Sequence, residues 1–188
     1  MEQMDELRRP EANTRLMYRI VCWASGVAIL GIVVYGVATS EASGGGSISD
    51  IGRSLVGVSF PLPNFAEPVA YLSVACVLFF YTGLRLWQGK VAQWSQARLA
   101  SLQLLAIVVA FASAYEVVYN FVLWGSYSSV QVLYSDLAAS SNFLSSPGPT
   151  PWTLVFATWI FAALFVIGGY SVYFLRKIHQ VRGASDVL

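Results

Sequence analysis

The sequence predicts an all-α integral membrane protein, an up-and-down bundle of four transmembrane helices with both the N and C termini cytoplasmic. Three observations carry this reading. Only 11% of the 188 residues are charged and 56% are hydrophobic, where a soluble domain has roughly a quarter charged. Four apolar stretches each reach the ~20 residues that cross a hydrocarbon core of ~30 Å. The Lys and Arg residues crowd into alternate flanks of those stretches, which sets orientation.

The expected spans are about residues 17–40, 68–87, 99–124 and 152–175, with outer loops at about 41–67 and 125–151, and residues 1–188 form a single domain. No ten-residue alternation of apolar and polar positions suggests a barrel. The leading segment carries Arg8, Arg9, Arg15 and Arg19. The short middle loop has Lys90 between Arg85 and Arg98, and the tail has Arg176, Lys177 and Arg182. The two longer loops hold a single basic residue, Arg53. The first span reads as an uncleaved anchor. Its lead-in contains Glu2, Asp5, Glu6 and Glu11, and its apolar run exceeds the ~7–15 residues of a secretory signal.

In the first outer loop, Ser43-Gly44-Gly45-Gly46-Ser47 reads as a flexible hinge. A semi-apolar stretch follows, and Pro61-Leu62-Pro63 imposes an extended approach to the second span. In the second loop, Val130, Leu133, Tyr134 and Leu137 fall at helical spacing, the pattern of a short helix lying on the membrane surface. Pro147-Gly148-Pro149-Thr150-Pro151 then forces a stiff turn. Trp87, Trp124 and Trp152 sit at expected span ends as interfacial aromatics, whereas Trp23 and Trp159 lie deeper and are expected to pack between helices.

Several chemistries find no residues to carry them. With 11 basic and 10 acidic residues there is no electrostatic footprint for nucleic acid. The lone His179 stands in the basic tail, and no metal or haem ligand set accompanies it. Cys22 and Cys76 differ in expected depth by about 10 Å, too much for a disulfide. The Gly44-Gly45-Gly46 run lacks the lysine of a phosphate loop. No nucleophile-base constellation is visible. The expectation is a chain with no cofactor, no metal and no catalytic role.

One polar feature remains. Glu116 lies inside the third expected span, with Ser113 one turn below and Asn120 one turn above on the same stripe, and Tyr115 and Tyr119 beside it. An intramembrane carboxylate costs several kcal/mol unless paired, hydrated or neutralised. It reads either as a polar clasp toward neighbouring helices or as a proton or cation site. By depth its partners would be Tyr35, Ser73 and Thr158. Arg85 is expected to snorkel away to the inner interface. Small residues allow close helix packing at Ala106, Ala110 and Ala114, at Gly26, Gly31 and Gly36, and at Gly168-Gly169.

The function expected first is a non-catalytic accessory or scaffold subunit of a membrane protein complex. It would sit multi-pass in the plasma membrane, in contact with the lipid bilayer and with other membrane proteins or further copies of itself. The alternative is a small proton- or cation-coupled transporter or channel-like protein using Glu116.

Overall fold

Apolar runs without an interior proline, placed where no water can accept their backbone hydrogen bonds, close into long helices. The computed structural model describes residues 12–45, 47–57, 66–133 and 152–185. Its helices are α1 (Ala12–Ala42), α2 (Ile48–Val56), α3 (Pro68–Val91), α4 (Gln96–Leu133) and α5 (Trp152–Ser185). No β-sheet occurs among the described residues. All but α2 are long and apolar enough to cross a membrane, over stretches of 30, 24, 34 and 29 residues. The chain is therefore an all-α, membrane-embedded protein.

The helices outrun the expected spans. α4 does not stop at Trp124 but continues to Leu133, so residues 125–133 are not a separate surface helix. The serines that suggested a loop bond back to their own helix. Ser126 Oγ donates to the Val122 carbonyl at 2.9 Å and Ser129 Oγ to the Gly125 carbonyl at 2.8 Å, so each hydroxyl is satisfied without breaking the ladder. Tyr134 and Leu137 lie outside the described residues. α3 likewise runs to Val91, beginning with Pro68 in the first turn, where its missing N–H costs nothing.

The helix that the sequence reading missed is α2. Its start is a capping box. The Asp50 N–H donates to Ser47 Oγ at 3.3 Å, and the Ser47 N–H donates to Asp50 Oδ2 at 3.2 Å. Ser-x-x-Asp ahead of an apolar pair was the available signal. Gly44, at φ +74°, supplies the left-handed turn between α1 and α2.

Contacts gather the chain into two compact units. One comprises Met1–Ile29, Val74–Ala112 and Ala163–Leu188. Its core is Val91, Leu99, Phe174, Leu175 and Ile178, with Leu84, Trp94 and Tyr170 packed against it. Within this unit α4 and α5 approach backbone to backbone, because a Cβ on Gly168 would lie 3.0 Å from Ala110 N and 3.1 Å from the Ala106 carbonyl oxygen. The small residues expected to permit close packing do so here. A Cβ on Gly26 would lie 3.4 Å from the Phe79 ring.

The other unit comprises Leu30–Ser73 and Ser113–Ala162. In it α2 lies on α1 at Gly36, where an added Cβ would come within 3.0 Å of Leu55 and 3.2 Å of Ile51. Ser54 Oγ donates to the Gly36 carbonyl at 3.0 Å. A Cβ on Gly52 would be 2.8 Å from the Trp152 ring. The glycines of α1 do not act as one face. Five-residue spacing turns each about 140° from the last, and Gly31 has no neighbour within 4 Å.

Gly168→Leu should destabilise the protein by roughly 1–3 kcal/mol, the usual cost of forcing bulk into a packed contact. Gly169→Leu, whose Cβ would meet nothing within 4 Å, should be tolerated. Thermal unfolding of both variants in mild detergent compares them directly.

Candidate functional site

The intramembrane stripe lies on α4, within Ser113–Ala162. Helical periodicity turns Ser113 and Asn120 to one side, and both are buried, with 2% and 6% of their surfaces exposed. Glu116, between them, is half-buried. Tyr115 and Tyr119 fall on another side, 65% and 45% exposed, with their rings stacked at 6.0 Å and 10°. The structure thus divides the five residues into an inward polar line and an outward aromatic pair.

The partners expected for Glu116 are engaged elsewhere. Ser73 Oγ donates to the Trp159 carbonyl at 3.2 Å and Thr158 Oγ1 to the Leu154 carbonyl at 2.6 Å. Tyr35 is exposed. Among the described residues Asn120 Nδ2 is enclosed without an acceptor. The same unit encloses three further polar atoms with no partner among those residues: Ser40 Oγ, Glu67 Oε2 and Trp152 Nε1. Arg53 rests its guanidinium 5.6 Å over the Trp152 ring.

Glu67 was not singled out from the sequence. The signal was a carboxylate immediately before Pro68, at the start of a span, where a helix N-terminus favours negative charge. Its carbonyl accepts the Ala70 N–H at 2.9 Å. Burial nevertheless pushes its carboxyl above the usual range.

The unit built from Met1–Ile29, Val74–Ala112 and Ala163–Leu188 contains Arg85. α3 continues six residues beyond it, and its guanidinium lies 5.6 Å over the Tyr81 ring. Tyr81 packs on Tyr170 at 4.7 Å and on Tyr18 at 6.1 Å. The cation is held against aromatic faces, a favourable arrangement where water is scarce. Arg85 Nε and the Tyr170 hydroxyl are enclosed with no hydrogen-bond partner among the described residues.

The same unit holds a half-open apolar cavity of about 660 Å³, with Trp87 and Leu105 among its exposed lining residues. α3 lines it with Phe79, Gly83, Trp87 and Val91, α4 with Leu102, Leu105, Ala106 and Val109, and α5 with Ile167, Gly168, Ser171 and Leu175. Each set follows helical spacing, so one stripe per helix faces the space. Spans apolar on every side carry no periodic signal for such a wall in the sequence.

Trp23 and Trp159 also differ from expectation. Trp23 is 76% exposed and Trp159 is exposed as well, so neither is packed away between helices. Cys22 and Cys76 are free thiols. His179 is half-buried on α5. Among the described residues no three of His, Cys, Asp and Glu gather where a metal could be held.

These features define a membrane-embedded all-α protein with an intramembrane polar line, an outward tyrosine pair and an apolar cavity. No protein-family model matches the chain, and no match to it is found among curated proteins or solved structures.

The raised pKa of Glu67 has a pH signature. Burial disfavours the charged form, so its contribution to stability is fully present below the ordinary carboxyl pKa of ~4.3 and is lost as pH rises through the raised folded-state value. Glu67→Gln should remove that decline. Thermal unfolding in detergent between about pH 4 and pH 8 would show it, and an identical pH profile in the variant would assign the effect to another group.

Proposed function

We propose that this protein is a non-catalytic accessory or scaffold subunit of a membrane protein complex, docking through the outward face of α4. In this reading the four spans run up and down in the plasma membrane, with both termini cytoplasmic as the Lys and Arg distribution favours.

The observation that carries the reading is the stacked, exposed pair Tyr115 and Tyr119, inside a span. Exposed Phe111, Val118 and Val122 around them suit lipid and protein contact alike. Two phenolic hydroxyls do not, because lipid tails offer no acceptor and an unbonded hydroxyl in an apolar medium costs on the order of 2–7 kcal/mol. A neighbouring membrane protein or a second copy of this chain supplies both ring contacts and acceptors.

A photo-crosslinking side chain at position 115 should capture one discrete species in native membranes. The same group at Trp23, equally exposed but without this pair, should capture lipid. Tyr115→Leu with Tyr119→Leu should abolish co-purification while leaving thermal stability within about 0.5 kcal/mol, as for a surface change. A wild-type chain that purifies alone and is unaffected by the double change would end this reading.

A second reading has an observation of its own: the enclosed, unaccepted Asn120 amide one turn from Glu116. A polar line with spare hydrogen-bonding capacity suits a proton- or cation-coupled transporter. Glu116→Gln should then abolish proton flux in liposomes at unchanged stability. No flux in the wild-type protein would remove the transport reading.

A further inference from the structure

The apolar cavity shares no lining residue with the Tyr115 and Tyr119 pair or with the Glu116 line. Its volume of about 660 Å³ lies in the ~300–1,000 Å³ range of small-ligand sites. Along α3 it runs from Phe79 to Val91, about 18 Å at helical rise. That is close to one leaflet, half of a ~30 Å hydrocarbon core. Its one hydroxyl, Ser171 Oγ, is already committed to the Ile167 carbonyl at 2.7 Å. An extended peptide segment would leave its own N–H and C=O groups unbonded there, so the walls suit a chain with no hydrogen-bonding groups.

One end of the cavity is marked by charge. Val91 and Leu175 line it and share a core cluster. Lys90 precedes the first and Arg176 follows the second, both exposed. Lys90 Nζ lies 5.5 Å over the Trp87 ring, an aromatic that also lines the cavity. Exposed Arg98 lies one turn before Leu102. Among the described residues of this unit there is no Asp or Glu; the acids of the leading segment and Asp186 of the tail lie outside them.

We infer that the cavity holds one acyl chain of an anionic phospholipid, with its phosphate at the Lys90, Arg98 and Arg176 end. The apolar walls select the tail, and the exposed cations at that end select the headgroup charge.

Gly83 allows a specific test, because it lines the cavity and a Cβ there meets no heavy atom within 4 Å, so added bulk starts in open space. The full-length protein in mild detergent is titrated with phosphatidylglycerol and with phosphatidylcholine of the same acyl chains, and bound lipid is counted by native mass spectrometry. The expected result is one phosphatidylglycerol per chain, retained in preference to phosphatidylcholine. Lys90→Gln should reduce that preference about fivefold, the share of one interfacial cation. Gly83→Phe should eliminate the retained lipid, with Gly83→Leu as a milder filling should the phenyl ring disturb folding. Equal retention of the two lipids would overturn the headgroup assignment. A lipid that persists in both Gly83 variants would overturn the cavity as its site.

Discussion

A backbone inside a bilayer has no water to bond to, and the same restriction reaches its side-chain hydroxyls. Within the spans several of them turn back on their own helices. Thr39 donates to the Tyr35 carbonyl at 2.8 Å, Thr82 to Leu78 at 2.7 Å, Thr158 to Leu154 at 2.6 Å and Ser171 to Ile167 at 2.7 Å. Each satisfies itself four residues back. Helix-to-helix hydrogen bonds among the described residues include Ser73 on the Trp159 carbonyl and Ser54 on the Gly36 carbonyl. Close approach comes instead from glycine and alanine, as where Gly168 meets the backbone of Ala106 and Ala110.

Against that self-sufficiency, the groups that fail to satisfy themselves become informative. A serine one helical turn from a carbonyl has a ready acceptor. Asn120, Glu116 and the hydroxyls of Tyr115 and Tyr119 are too long or too polar for that local solution. Their placement differs accordingly: the amide is enclosed within the fold, while the tyrosines project outward as a stacked pair. Arg85 takes a third course and rests its charge on aromatic rings.

Hydropathy made the four spans legible because length and lack of charge are direct requirements of the bilayer. It could not reveal direction around a helix. Trp23 was expected inside on depth alone, yet it faces outward, since a helix apolar on all sides carries no record of which side meets a neighbour. The polar stripe was readable because Ser113, Glu116 and Asn120 obey helical spacing. Their hydrogen-bond partners were not, because Ser73 and Thr158 had nearer carbonyls to bond. Span ends failed where serine was taken for loop, at Ser126 and Ser129. The short helix α2 escaped notice although Ser47 and Asp50 carried its cap; its nine residues were too few to stand out by periodicity.

The docking of α2 on α1 spans little chain. Ser54 reaches Gly36 across 18 positions, with only the turn at Gly44 between the two helices. Contacts this local close without a long loop penalty. The α1–α2 pair can therefore assemble while α3 is still being synthesised, leaving the end of the first span covered before a second span is present to shelter it.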